Sequence, residues 1–92
     1  MIDFNEITKI ASRYADMYIS NADEFCAAYD EAVRQSMYTP AEWNAIGMLL
    51  DPYYNCKIGK LSRQDTIATQ NEVQRVYEQD ILRSKICPSR TA

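Results

Sequence analysis

The stretch Tyr38-Thr39-Pro40-Ala41-Glu42-Trp43-Asn44-Ala45-Ile46-Gly47-Met48-Leu49-Leu50 contains the clearest helix start in the chain. Thr39 fits the N-cap position and Pro40 the first helical position, where a missing N–H costs nothing. Glu42 falls three residues after the cap, so its carboxylate can complete a capping box. The residues that follow are apolar on nearly every side, which indicates a buried helix. We therefore expect the fold to form around a central helix at about residues 40–50, with its tryptophan buried near the centre.

Amphipathic patterns before this stretch predict two further helices. The first runs from about Phe4 to Ile19, after an Asp3 cap. The second begins after Asn21, and its apolar residues recur at helical spacing: Ala22, Phe25, Cys26, Tyr29, Ala32, Val33 and Met37. The central helix should end at Asp51, because the residue before a proline is pushed out of the α region.

The residues after the central helix predict one irregular segment and one long helix. Residues 52–61 have turn residues at both ends and form the longest predicted loop. From Ser62 to Cys87 there is no proline or glycine, which predicts a helix; its sparse apolar pattern leaves a break near residues 69–71 open as an alternative. We expect residues 89–92 to form a loose tail. The predicted fold is all-α, a compact bundle of four or five helices in one domain that spans residues 1–92.

Composition and patterning favour a small protein of the cytoplasm. Of the 92 residues, 47% are hydrophobic and 25% are charged, and the formal net charge is −3. No apolar run approaches the roughly 20 residues of a membrane span. The first residues lack the basic start and apolar core of a signal peptide. We therefore expect a cytoplasmic protein that does not bind membranes.

The side chains present argue against the common catalytic and metal sites. The sequence has no histidine, two glycines, and three cysteines without a Cys-x-x-Cys pair. A catalytic triad, a phosphate-binding glycine loop and a Cys/His zinc site all need residues that are missing. The acidic neighbours Asp23/Glu24 and Asp30/Glu31 fall on the water-facing side of the second helix, where carboxylates have no reason to act as an acid–base pair. We predict no enzyme activity, no cofactor and no metal. We expect the thiols of Cys26, Cys56 and Cys87 to be free and buried.

Seven tyrosines are the most unusual feature of the composition. Most fall on apolar stripes, but two adjacent ones lie in the predicted loop with lysines beside them. Exposed tyrosines inside a charged rim are typical of the centre of a protein interface. The predicted contact residues are Tyr53, Tyr54, Lys57 and Lys60 in the loop, and Asp23, Asp30 and Glu31 on the second helix. An alternative stays open in which the loop folds back over the core as a lid.

Two classes of function fit these observations. The first is a small non-catalytic protein-interaction module, an inhibitor or accessory protein that binds a macromolecular partner. Compact, acidic, helical chains of this type occur among phage and mobile-element proteins, including anti-CRISPR and other host-defence inhibitors. The second is a DNA-associated regulator, because Lys57, Lys60, Arg63 and the later basic residues would form a basic strip. A protein partner is favoured over nucleic acid because the chain is acidic overall, and the sequence leaves the oligomeric state open.

One short segment resembles a known family. Residues Thr39-Pro40-Ala41-Glu42-Trp43-Asn44-Ala45-Ile46 resemble the second helix of winged-helix regulators of the MarR type. The resemblance implies DNA binding through a helix-turn-helix. Downstream, the segment from Gln64 to Thr69 lacks the turn of small residues that such a unit needs. A helix-turn-helix-like transcriptional regulator is therefore the alternative function, and no family is assigned.

Overall fold

The computed structural model describes residues 2–86, and of residues 84–86 it describes the backbone alone. Four α-helices and no strand lie in this range: α1 (Phe4–Ser20), α2 (Ala22–Arg34), α3 (Pro40–Lys57) and α4 (Arg63–Ile86). The all-α bundle predicted from the sequence is confirmed. The predicted tail at residues 89–92 and the thiol of Cys87 lie outside the described residues.

The predicted capping box at the start of α3 is present, and its glutamate also binds the segment before α1. The Thr39 hydroxyl accepts a hydrogen bond from the Glu42 N–H at 3.2 Å, and Glu42 Oε1 accepts one from the Thr39 N–H at 2.8 Å. The other oxygen of Glu42 accepts a hydrogen bond from the Ile2 N–H at 3.0 Å. The Tyr77 hydroxyl donates to the Ile2 carbonyl at 2.6 Å. The segment before α1 is thereby attached to both α3 and α4.

The hydrophobic core is shared by α1, α3 and α4. α1 and α4 each pack along α3, whereas α2 packs against α1. The largest fully buried side chains are Ile7, Ile46, Leu49, Val73 and Tyr77. Only one residue of α2, Ala32, is buried. α2 is therefore a peripheral helix on a three-helix core.

The predicted end of the central helix at Asp51 is wrong, because α3 continues through Pro52 to Lys57. A proline inside a helix removes one backbone hydrogen bond and costs about 3 kcal/mol. The next residue, Tyr53, is only 8% exposed and packs in the core. Burying that ring recovers free energy of a similar size, so the helix continues past the proline.

The predicted irregular loop at 52–61 is therefore wrong for its first half. Residues 52–57 are helical, and the connection to α4 is limited to residues 58–62. Gly59 in this turn has φ 84°, a left-handed conformation that glycine adopts without a steric penalty. Tyr53, one of the two tyrosines of the predicted loop, is thus part of α3 and packs in the core.

α4 is one unbroken helix, so the alternative with a break near residues 69–71 is not observed. Gln70, within the suspected break, accepts a hydrogen bond from the Tyr53 hydroxyl at 2.5 Å. Val73 and Tyr77 then pack in the core one and two turns later. These contacts hold the polar middle of α4 against α3.

The predicted central burial of Trp43 is wrong. Trp43 is half-buried at the edge of the core, and the centre is occupied by Ile46 and Leu49, each 0% exposed. The reason is the course of α3: its buried side faces both α1 and α4, and Trp43 lies on a different side of the helix.

The apolar stripe of α2 is also far less buried than its pattern predicts. Tyr29, Val33 and Met37 are 39%, 48% and 55% exposed. Cys26 is exposed and Cys56 is half-buried, so the prediction of buried thiols is wrong for Cys26. The cause is that α2 packs mainly on α1, which covers one side of a stripe that is wide enough for two neighbours.

Candidate functional site

A groove lined by aromatic side chains lies between α2 and α3. It consists of two adjoining hollows of about 330 and 280 Å³, which share the lining residues Phe25, Gly47 and Leu50. We call this surface the aromatic groove and define it by Tyr18, Phe25, Tyr29, Trp43, Gly47, Leu50 and Tyr54. The buried side chains of Ala15 and Ile46 form its floor. The groove thus exposes apolar surface directly above the hydrophobic core.

The aromatic rings along the groove form a continuous chain. Neighbouring ring centroids are 5.0–6.1 Å apart in the order Tyr54, Tyr18, Phe25, Tyr29, Trp43 and Tyr38. Four of the five contacts are edge-to-face and one is stacked, and these are the preferred geometries of aromatic pairs. Rings that support one another in this way lose little further freedom when a partner covers them.

The wall formed by α3 has a regular spacing. Trp43, Gly47, Leu50 and Tyr54 are separated by four, three and four residues, the repeat of a helix seam that packs against another helix. No atom outside the helix's own local backbone lies within 4 Å of the position that a Gly47 Cβ would occupy. A glycine in a helix interior costs roughly 0.5–1 kcal/mol relative to alanine. Gly47 therefore weakens α3 at a point where the fold itself does not need a glycine.

α2 carries an exposed apolar strip with the same spacing, and one of its residues, Tyr29, lines the groove. Ala22, Cys26, Tyr29 and Val33 are again four, three and four residues apart, and all four are exposed. We call these residues the α2 strip. An apolar strip at this spacing is the typical contact face of a helix in a coiled coil or bundle, yet in this chain it faces solvent.

Two tyrosines of the predicted contact site have different environments. Tyr54 is half-buried, and its ring packs edge-on against Tyr18, so it belongs to the aromatic groove. Tyr53 is on a different side of α3, where it is buried and its hydroxyl donates a hydrogen bond to Gln70. Burial raises the pKa of the Tyr53 phenol above its ordinary value. Because both tyrosines belong to α3, and adjacent residues of a helix point about 100° apart, Tyr53 and Tyr54 have different neighbours.

The lysines of the predicted site are not part of the groove. Lys57 forms an ion pair with Asp16 at 2.9 Å, which links the end of α3 to α1. Lys57 also lines a separate hollow of about 320 Å³ with Tyr53 and Cys56. Lys60 is exposed in the turn after α3. The structure therefore divides the predicted loop site: Tyr54 lies in the groove, and Tyr53 and Lys57 line a hollow elsewhere.

The predicted acidic residues of α2 occupy two flanks of the helix. Asp23 and Asp30 are exposed, and each directly follows a residue of the α2 strip, so both border the strip on one side. Glu31 lies on the other flank, where it pairs with Arg34 at 2.5 Å. Asp51 of α3 lines the groove from the opposite wall. Asp23 and Asp30 do not line the groove, because the α2 residues that line it, Phe25 and Tyr29, lie on another side of the helix.

Most groove residues were missed by the sequence analysis. Tyr18, Phe25 and Tyr29 were assigned to the core or its margin, because an apolar stripe does not reveal how many neighbours will cover it. Two signals were nevertheless present in the sequence. Gly47 interrupts an apolar helix with no turn nearby, and the stripe of α2 is wider than one neighbouring helix can bury.

The described residues offer no cluster of side chains that is arranged to hold a metal ion. Among them, no set of three or more His, Cys, Asp or Glu side chains is placed to hold a metal ion. No helix in this part of the chain is both long enough and apolar enough to cross a membrane. Comparison with models of known protein families, with curated proteins and with solved structures finds no match to this chain.

Proposed function

We propose that this chain is a small protein-interaction module without catalytic activity, and that it binds a protein partner through the aromatic groove. The observation that carries the proposal is the open groove itself: tyrosine, phenylalanine and tryptophan rings line it together with Gly47, and a Cβ added at Gly47 would point into open space. Tyrosine and tryptophan are the residues most enriched at the energetic centres of interfaces. An apolar surface that lies above a core and is rimmed by charge is typical of a protein-binding site.

Binding at this surface fits the action of an inhibitor or an accessory subunit. Either would act by occupying a partner's surface, and neither needs a reacting group of its own. The narrower expectation of a phage or mobile-element inhibitor, such as an anti-CRISPR protein, rests on the size, charge and helical character of the chain. No contact in the groove bears on it.

The alternative of a DNA-associated regulator receives less support from the charges. Arg75 and Arg83 on α4 each pair with an acidic residue one turn away, Glu72 and Asp80 respectively. Lys57 is paired with Asp16. A basic strip whose charges are compensated in this way attracts phosphates weakly. The groove, by contrast, is lined by apolar and acidic groups.

Site-specific photo-crosslinking tests the proposal. Tyr29 is replaced by the photoreactive residue p-benzoylphenylalanine, and the chain is irradiated in cells of its source. A matched variant carries the same residue at Gln79, which is exposed on α4. We expect a discrete adduct with one protein from position 29 and none from position 79. The absence of an adduct at 29, or the same adduct at both positions, would contradict the proposal.

A further inference from the structure

Three helices contribute aromatic rings to the larger of the two hollows of the aromatic groove. Tyr18 comes from α1, Phe25 from α2 and Tyr54 from α3. The centroid of the Tyr18 ring lies 5.4 Å from that of Phe25 and 5.3 Å from that of Tyr54, with interplanar angles of 78° and 70°. The planes of the rings that line this hollow therefore differ in direction, so a group that enters it meets aromatic surface from more than one side.

One carboxylate lines the same hollow. Asp51 follows Gly47 by four residues and precedes Tyr54 by three, so the helical repeat places these residues on one side of α3. Asp51 is exposed and forms no ion pair with a described side chain. No lysine or arginine of the described residues lines either hollow of the groove. We call the larger hollow the Asp51 hollow and define it by Tyr18, Phe25, Asp51 and Tyr54.

Aromatic rings beside a carboxylate form a surface that attracts cations. The face of an aromatic ring is negative, and a cation within about 6 Å of the ring centroid is attracted to it. The attraction grows when the cation is partly removed from water, as it is inside a hollow. A carboxylate next to the rings adds a charge-assisted hydrogen bond. An apolar side chain would gain only from the rings, and an acidic one would be repelled by Asp51.

Among basic side chains, arginine matches this arrangement better than lysine. The guanidinium group is planar, stacks on aromatic faces and can donate two parallel hydrogen bonds to a carboxylate. It can therefore contact the rings and Asp51 at the same time. The ammonium group of lysine is a compact charge that water hydrates more strongly. Transfer of that group from water into a hollow lined by rings is consequently less favourable.

We infer that the Asp51 hollow receives an arginine side chain of the protein partner. The inference rests on the proposed function and adds to it the chemical class of the group that enters the groove. The guanidinium packs against the rings and donates hydrogen bonds to Asp51. The adjoining hollow, lined by Trp43 and Gly47, accepts apolar groups of the same partner. The rings supply most of the affinity, and Asp51 selects a cation.

Two small probes that differ only in charge test the inference. N-acetyl-arginine methylamide presents the side chain as it occurs in a protein, and its citrulline analogue replaces the guanidinium by a neutral urea group of nearly the same shape. Each is titrated into the intact protein, and the NMR shifts of the ring protons of Tyr18, Phe25 and Tyr54 report binding. We expect the arginine probe to bind about tenfold more tightly at low salt, with a smaller difference at high salt.

Substitution of Asp51 provides the decisive comparison. Asp51→Asn keeps the size of an exposed side chain and removes its charge. It should lower the affinity for the arginine probe about threefold and leave that for the citrulline probe unchanged. Asp30→Asn makes the same change in net charge at an exposed position of α2 that does not line the groove, and it should change neither affinity. This control separates a local charge pairing from the overall charge of the protein.

The other outcomes would overturn the inference. Equal binding of the two probes would show that the hollow does not select a cation, and the absence of shifts with both would remove arginine as the occupant. An equal loss of affinity in Asp51→Asn and Asp30→Asn would attribute the preference to overall charge. Tighter binding of the corresponding lysine probe would contradict the choice of arginine. Whether the groove binds a protein is decided separately, by crosslinking at position 29.

Discussion

At the scale of single residues, Glu42 shows how one buried carboxylate can organise several segments. It is 3% exposed and accepts hydrogen bonds from two backbone N–H groups, those of Thr39 and Ile2. Both groups would otherwise lack a partner in a partly buried position. The capping box was predictable from the spacing of Thr39 and Glu42. The bond to Ile2 was not, because nothing local in the sequence brings residues 2 and 42 together.

We predict that Glu42→Ala is more harmful than removal of the cap alone. It should lower the free energy of unfolding by about 2–3 kcal/mol, since two backbone donors lose their acceptor. Thr39→Ala removes one half of the capping box and should cost about 1 kcal/mol. Urea denaturation of both variants measures the difference. Equal losses would show that the bond between Glu42 and Ile2 contributes nothing to stability.

The buried tyrosines predict a loss of stability at alkaline pH. Burial raises the pKa of Tyr14, Tyr53 and Tyr77 above the ordinary value of 10.0, and the carboxylates of Glu42 and Asp3 raise that of Tyr77 further. Each phenol therefore keeps its proton more firmly in the folded chain than in the unfolded one. The stabilisation is complete below pH 10 and declines as the pH rises through the raised pKa values.

Urea denaturation at a series of pH values from about 8 to about 11 tests this prediction. The unfolding midpoint should fall steeply above pH 10. Tyr53→Phe should reduce the steepness, because one titrating group is removed. Tyr29→Phe, at an exposed position in the groove, is the control for loss of a hydroxyl. A midpoint that stays constant up to pH 11 would be the contrary result.

At the scale of helices, α3 contains some residues that stabilise it and others that destabilise it. Its capping box and its buried residues stabilise it, while Gly47 and Pro52 in its interior weaken it. Packing of Tyr53 and the bond to Gln70 compensate for Pro52. Among the described residues nothing compensates for Gly47, since the space beside it is open. Under the proposed function, a protein partner would occupy that space.

Gly47→Ala should therefore make the isolated protein more stable. Alanine has the higher helix propensity, and its methyl group meets no atom within 4 Å. We expect a gain of roughly 0.5–1 kcal/mol in the free energy of unfolding. The same substitution at Gly59, which has φ 84°, is the control and should destabilise the chain. A loss of stability in Gly47→Ala would mean that the glycine serves the fold rather than a partner.

The helices also show what could be predicted from the sequence and what could not. The start of α3 and the bounds of α1 followed from capping residues and periodicity, which are local properties. The continuation of α3 past Pro52 depends on tertiary contacts made by Tyr53, which outweigh a local preference. The position of α2 depends on which neighbours cover its stripe, and a single sequence does not contain that information. The groove was missed for this reason, although Tyr54, Asp23 and Asp30 were correctly placed outside the core.

At the scale of the whole molecule, the bundle is flat. Its principal extents are 42 × 31 × 17 Å, and its radius of gyration is 14.1 Å, compared with about 12 Å expected for a compact chain of this length. A thickness of 17 Å holds about two layers of helices at the usual spacing of 8–10 Å. Residues 2–86 consequently provide no third layer to cover the groove between α2 and α3. Under the proposed function, a protein partner would provide that cover.

The most direct test of this account uses the partner protein that crosslinks to position 29. The measurement is the affinity of that partner for the Gly47→Leu variant of this chain. The added side chain fills the space beside α3 that the partner is proposed to enter. We predict that the partner binds this variant about a hundredfold more weakly, which is the effect of losing one interface hot spot. The melting temperature of the variant should not fall. Asn71→Leu, which adds a leucine at an exposed position of α4, should bind as tightly as the wild type. Unchanged binding by Gly47→Leu would show that the aromatic groove is not the contact surface.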